Sequence, residues 1–174
     1  GQVELRRGGV ELQHGLVGYQ FKTDHQVWDI TRTQRGTLTF NDHHHNTYEI
    51  NMKGAILNEW NAKEDLDRKL ANNECCIHHG VSHLANGNFI GLSTEMKEID
   101  GYMPDGSSGR AVGDVAVEFN RSGEVVNTWS MFDILSDYTT RRRYGSGGGK
   151  WNDEYGKETE DWSHANALNL GNEE

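Results

Sequence analysis

Apolar and polar residues alternate along much of the chain in short runs, which is the pattern of half-buried β-strands. The alternation is clear at residues 27–31 and 37–40, and the turn-like segment between them, which ends at Gly36, predicts a hairpin. Helical periodicity is confined to two short connectors at residues 62–70 and 131–138. The pattern therefore predicts an all-β protein.

One hairpin occurs twice along the chain. Residues 48–60 recur as residues 117–129, with Glu, Asn, Gly, Asn and Trp at the same places. Each copy turns through Asn-x-x-Gly and returns on an apolar strand that ends in Trp60 or Trp129. Asn at the first and Gly at the last position of such a turn favour a type I turn that closes a hairpin, because Gly readily takes the left-handed backbone. The recurrence predicts a repeat architecture.

The second copy completes a group of four predicted antiparallel strands, which is what one blade of a β-propeller contains. A shorter blade is predicted before it at residues 27–60, and the start of a further blade after it at residues 161–174. An insertion at residues 139–159 separates the last two and reads as a surface loop. The predicted elements of the middle blade, at residues 81–130, are strands at residues 81–84, 89–94, 114–120 and 124–130, with a loop at residues 99–113.

The number of predicted blades is smaller than a closed propeller needs. A propeller closes with about four to eight blades, and this sequence predicts about two and a half. We therefore expect a partial β-propeller, a fragment of one propeller domain whose remaining blades lie in a longer parent chain.

Composition narrows the range of partners. Gly is abundant at 21 residues and Pro occurs once, which fits a turn-rich β protein. The net charge of −10 argues against nucleic acid or an anionic membrane surface as a partner, although an anionic small molecule could bind in a locally positive pocket. No apolar run is long enough to span a bilayer, and no signal peptide is visible. Cys75 and Cys76 are adjacent and poorly placed for a mutual disulfide, so the redox compartment stays open.

Two histidine-containing blocks are the candidate chemistry. Residues 161–168 place His164 and Asn166 two positions apart in a strand-like run, so that both would point to the same side. Residues 76–88 likewise carry His79 shortly before a Gly-containing turn. The alternative is that both are structural strand histidines whose hydrogen-bonding groups are paired within the fold. A run of three histidines at residues 43–45 supplies too few convergent ligands for a metal, so neither a metal nor a cofactor is expected.

These two blocks resemble those of the bacterial and archaeal arylsulfotransferase family, which comprises aryl-sulfate-dependent enzymes on a six-bladed propeller. The first is His-His-Gly-Val-Ser-His-Leu-Ala-Asn-Gly-Asn at residues 78–88, and the second is Asp-Trp-Ser-His-Ala-Asn within residues 161–168. The resemblance implies that His79 and His164 are active-site histidines and that Asn166 is a sulfate-side hydrogen-bond donor. Gly80 departs from the family, which usually has an acidic residue there.

The resemblance also implies the reaction. A sulfuryl group would pass from an aryl sulfate donor to a phenolic acceptor through a sulfated histidine. That histidine and an arginine of the family lie beyond this chain, so we expect the chain alone to be inactive. The family resemblance implies a periplasmic or secreted protein. The competing hypothesis is a non-catalytic propeller segment that serves as a binding or scaffolding surface.

The propeller interpretation also makes a geometric prediction. The entries to the first strands of successive blades gather around one mouth. We therefore expect His79 and His164 to face a common cavity within reach of one tetrahedral anion. Asn166 would lie on the same rim, and the histidines at residues 43–45 would lie elsewhere.

Overall fold

The computed structural model describes residues 27–42, 46–61, 77–135, 151, 155–156 and 158–171. These residues form an all-β structure, as predicted. Its helix α1 is one short turn, capped by the Ser130 hydroxyl, which accepts a hydrogen bond from the Phe132 N–H. The elements are β1 (Val27–Arg32), β2 (Leu38–Asp42), β3 (Asn46–Ile50), β4 (Ile56–Asn61), β5 (His78–His83), β6 (Phe89–Ile99), β7 (Gly109–Phe119), β8 (Val125–Ser130), α1 (Met131–Ile134) and β9 (Thr159–Asp161).

The strands form two sheets with simple topology. The first sheet has the order β1-β2-β3-β4 and the second β5-β6-β7-β8, with every pair in these orders antiparallel. The short strand β9 joins the second sheet beside β7. Strands that are adjacent in sequence are adjacent in each sheet, because each connection is a hairpin or a short loop. Two four-stranded antiparallel sheets in succession confirm the predicted partial β-propeller.

The repeated turn has the predicted geometry in both copies. Gly54 and Gly123 both have φ 81, a left-handed conformation that glycine adopts without strain. Each donates its N–H to the carbonyl of the Asn three residues earlier, at 2.9 Å in both turns. The side-chain oxygens of Asn51 and Asn120 each accept two further backbone N–H groups. The Asn-x-x-Gly turn is therefore stabilised by the side chain of its Asn and by the left-handed backbone of its Gly.

The predicted loop at residues 99–113 is wrong at both ends, although residues 100–108 belong to no strand. β6 runs on to Ile99 and β7 begins at Gly109, and the two pair without interruption over eleven residues each. The glycines suggested a loop, but Gly113 has a packing role. A Cβ atom there would lie 2.7 Å from the ring of Phe132. Glycine is therefore needed because an aromatic ring packs directly on the backbone of β7.

The predicted strand at residues 161–168 is also largely wrong. β9 ends at Asp161 and pairs parallel with Arg110–Val112 of β7. It lies on the same edge of β7 as β8, since β6 occupies the other edge along its whole length. Residues 162–171 belong to no strand, although the Trp162 N–H still donates to the carbonyl of Val112 at 2.9 Å. The further blade that residues 161–174 would begin remains a prediction.

The two sheets pack through the tryptophan that ends the first repeat. Trp60 is 4% exposed, and its ring centroid lies 4.7 Å from that of Phe89 and 5.4 Å from that of Phe119. Its indole N–H donates to the carbonyl of Arg121 in the second sheet at 3.0 Å. Trp129 holds the same place in the second repeat but is 41% exposed. The same sequence signal therefore gives a buried anchor in one sheet and a partly exposed ring in the other.

The repeated glutamate stabilises the ends of the strands. Glu49 is fully buried and binds Arg121 across the sheet interface, with 2.6 Å between Oε2 and Nη1. Burial alone would raise the pKa of Glu49, but hydrogen bonds from Arg121, Thr37 and Asn58 lower it overall. The equivalent Glu118 accepts hydrogen bonds from three amides, those of Asn86, Asn88 and Asn127.

His83 gives the fold a dependence on pH. Burial, followed by the charge of Arg35, lowers the pKa of this histidine. The unfolded chain therefore takes up a proton more readily, so His83 contributes stability that is present above its ordinary pKa of about 6.5 and lost as the pH falls below it. We expect the free energy of unfolding, measured by urea titration, to fall from pH 7.5 to pH 5.5. The fall should be smaller in His83→Gln, and an equal fall in both proteins would contradict the assignment.

Candidate active site

His79 lies in a β-bulge near the start of β5. The register of β5 against β6 shifts between His78 and Val81, and His79 has φ 56. A left-handed backbone is uncommon outside glycine, and a bulge changes the direction of a side chain. The side-chain amide of Asn41, in the first sheet, donates to the carbonyl of His79. The bulge is therefore fixed from the neighbouring sheet, and it removes His79 from the simple alternation of β5.

The imidazole of His79 contacts two side chains of β1. Its Nδ1 lies 3.2 Å from Oδ2 of Asp29, and its ring stacks on Trp28 with centroids 5.7 Å apart. Because a carboxylate only accepts hydrogen bonds, Nδ1 of the bonded ring carries the proton. The His79 side chain is 26% exposed. The ring is thus oriented by the first sheet and still reaches the surface.

His164 has an equivalent carboxylate partner close by in sequence. Its Nδ1 lies 2.5 Å from Oδ2 of Asp161, the last residue of β9. The His164 side chain is 28% exposed and that of Asp161 is 19% exposed. The spacing Asp-x-x-His of the second block therefore serves to orient the histidine.

Asp114 of β7 fixes the segment that carries His164. Its Oδ2 accepts hydrogen bonds from the Ser163 hydroxyl at 2.8 Å and from the Ala165 N–H at 2.9 Å. Its own N–H donates to the Ser163 oxygen at 2.8 Å. Asp114 is 1% exposed, so these bonds form where water does not compete. Both neighbours of His164 are consequently held on one buried carboxylate.

The same carboxylate lies next to the first histidine block. Oδ1 of Asp114 is 3.5 Å from Nε2 of His78, which is itself 4% exposed. The rings of His78 and His79 meet edge to face with centroids 5.2 Å apart. The two blocks, far apart in sequence, therefore both contact Asp114.

The structure brings the two predicted segments together, but their residues are not arranged as strand alternation predicts. His79 and His164 lie on segments that both contact Asp114, and both rings are partly exposed. Asn166 is exposed and follows the Asp114 contacts by one residue. Because no strand contains residues 162–171, strand alternation does not place Asn166 beside His164. Contact of all three residues with one anion remains a prediction.

Two carboxylates of this region are absent from the sequence prediction. Asp114 carried a recognisable signal, because it is a charged residue inside the apolar run of β7. Asp29 carried none, since an acidic residue in the partly exposed strand β1 is ordinary. It approaches His79 only because β1 and β5 pack together.

Several predictions lie outside the described residues. They concern residues 1–26, the histidines at residues 43–45, the connector at residues 62–70 with Cys75 and Cys76, and most of the insertion at residues 139–159. Within the described ranges, no group of three or more His, Cys, Asp or Glu side chains is placed to hold a metal ion. No helix in those ranges has the length and apolar character of a membrane span.

The chain has been compared with known protein families and curated proteins. The family described as Arylsulfotransferase (ASST) matches residues 13–174, which is nearly the whole chain. No curated protein matches it significantly. The matched range contains both histidine blocks, the two sheets and the Asp114 contacts that join them. The chain therefore belongs to the arylsulfotransferase family.

Proposed function

We propose that the segments carrying His79 and His164 form the sulfate-binding side of an active site that transfers a sulfuryl group from an aryl sulfate to a phenol. The observation that supports this best is the convergence of both segments on Asp114. Each segment presents a partly exposed histidine with a carboxylate on Nδ1. We expect the two rings to lie within reach of one small anion, which both would then bind.

The chemistry requires positioning and charge stabilisation. During sulfuryl transfer, as in phosphoryl transfer, negative charge spreads over the oxygens of the transferred group. A ring whose Nδ1–H is bonded to a carboxylate can use Nε2 for the substrate. When protonated, Nε2 donates to a sulfuryl oxygen, as the donors of an oxyanion hole do, or gives its proton to the departing phenolate. Asn166 would donate its amide N–H to another oxygen of the sulfuryl group.

The transfer proceeds in two steps in this proposal. The nitrogen of a third histidine, distinct from His79 and His164, attacks the sulfur, and the bond between sulfur and the aryl oxygen breaks. His79 or His164 supplies the proton to the leaving phenolate. The oxygen of an acceptor phenol then attacks the sulfur, and its proton passes to the histidine that protonated the leaving phenolate. The bond between sulfur and the nucleophilic histidine breaks as the new aryl sulfate forms. By family resemblance, the protein acts in the periplasm or after secretion.

We expect His164→Ala in the full-length protein to lower the transfer rate by about 10²-fold, which is the usual cost of losing an oxyanion donor or general acid. The measurement is release of 4-nitrophenol from 4-nitrophenyl sulfate with phenol as the acceptor. His83→Ala is the control, since His83 is a buried histidine at the far end of β5. Unchanged kinetics in His164→Ala would assign His164 a structural role. No transfer by the wild-type full-length protein would favour the competing hypothesis of a non-catalytic propeller segment.

A further inference from the structure

Asp29 contacts His79 from a different sheet. Asp29 belongs to β1 of the first sheet and His79 to β5 of the second, and they meet at 3.2 Å between Oδ2 and Nδ1. The carboxylate is 56% exposed, so the contact contributes little to global stability. We therefore expect the contact to act on the orientation of the His79 ring.

The backbone at both residues is unusual. Asp29 has φ 34 and His79 has φ 56, and Glu158 is the other residue besides glycine with positive φ in the described part of the chain. Each of the first two lies at a register shift near the start of the first strand of its sheet. Left-handed non-glycine residues are costly and concentrate at functional sites. Here two of them carry the side chains that meet.

Asp29 also lies beside Gly80. A Cβ atom on Gly80 would be 3.6 Å from Cβ of Asp29 and 3.6 Å from Oγ1 of Thr31. β1 therefore packs against the glycine directly. The position after the two histidines carries no carboxylate of its own, and Asp29 of the neighbouring sheet lies beside it.

We propose that Asp29 is the positioning residue of His79, which holds the ring as the Nδ1–H form and so directs Nε2 to the substrate. This inference deepens the proposed function, on which its catalytic consequence rests. The stack with Trp28 and the bond from Asn41 to the His79 carbonyl fix the plane of the ring and the bulge. Asp29 supplies the remaining constraint, the choice between the two tautomers. Asp29 itself touches no reacting atom.

The test is the tautomer of His79, read from the ¹⁵N shifts of its two ring nitrogens at pH 8. We expect Nδ1–H in the wild-type chain and a shift toward Nε2–H in Asp29→Gly. Glycine is the suitable replacement because it removes the carboxylate and adopts positive φ without strain. Asp161→Ala is the matched control, which should alter His164 and leave the signals of His79 unchanged.

The readouts separate this inference from the proposed function. A tautomer change in the chain, together with no sulfotransferase activity in the wild-type full-length protein, would support Asp29 and contradict the proposed function. In an active full-length protein, we expect Asp29→Gly to lower kcat about 10-fold or more with little change in KM. An Nε2–H form in the wild-type chain would overturn the inference even if Asp29→Gly failed to fold. An unchanged His79 tautomer in folded Asp29→Gly would also overturn it.

Discussion

Trp60→Ala is expected to lower the free energy of unfolding by roughly 3–5 kcal/mol, because it removes a buried indole and leaves a cavity between the two sheets. The ring packs on Phe89 and Phe119 and donates a hydrogen bond to the Arg121 carbonyl. For a chain of this length, the loss corresponds to a fall in Tm of about 12 °C. The measurement is urea unfolding, with thermal unfolding as a second probe.

Trp129→Ala is the matched control for that prediction. Trp129 occupies the same position in the second repeat and is 41% exposed, so its replacement should cost about 1 kcal/mol. The large difference between two equivalent substitutions would show that packing between sheets, rather than the tryptophan of the repeat itself, stabilises the fold. Equal losses in the two variants would contradict the sheet interface described here.

Asp114→Ala is expected to have the second large effect. It removes the acceptor of the Ser163 hydroxyl and the Ala165 N–H, both in a region sheltered from water. Breaking such a buried charged network costs roughly 3–5 kcal/mol. We expect the loss to be concentrated in the segment after β9, so the Ala165 amide should exchange with deuterium much faster than in the wild type. Hydrogen exchange followed residue by residue is the measurement.

Two further variants define the role of Asp114. Asp114→Asn keeps an amide oxygen that can accept both hydrogen bonds, although more weakly than a carboxylate, so its cost should be nearer about 1–2 kcal/mol. Asp133→Ala removes a carboxylate that is 75% exposed and pairs with Lys97 at the surface, so it should be nearly neutral. If exchange at Ala165 were unchanged in Asp114→Ala, the segment would not depend on this carboxylate.

The fold was predictable where local chemistry decides it. The two Asn-x-x-Gly turns, the strands beside them and the two-sheet organisation follow from short patterns that behave the same way wherever they occur. Prediction failed where glycine had a tertiary role. Gly109 and Gly113 read as loop residues, yet they lie in β7, where a Cβ atom would collide with Tyr102 or Met103 and with Phe132.

The candidate site was predictable only in part for a similar reason. His79 and His164 were recognisable because they belong to contiguous blocks with a family likeness. Asp114 lies between the blocks in sequence and contacts residues next to both histidines only because of the path of β7 and β9. Asp29 reaches His79 across the boundary between sheets. Contacts of this kind depend on tertiary packing, which no local pattern reports.

The most direct test of a shared site is whether His79 and His164 respond to one ligand. The ring signals of the ¹⁵N-labelled chain would be followed by NMR while 4-nitrophenyl sulfate is added, with potassium chloride at the same ionic strength as the control. If the two histidines share one site, both shift along curves with a single Kd, and His83 does not shift. Movement of only one of the two, or two curves with different Kd values, would contradict a shared site.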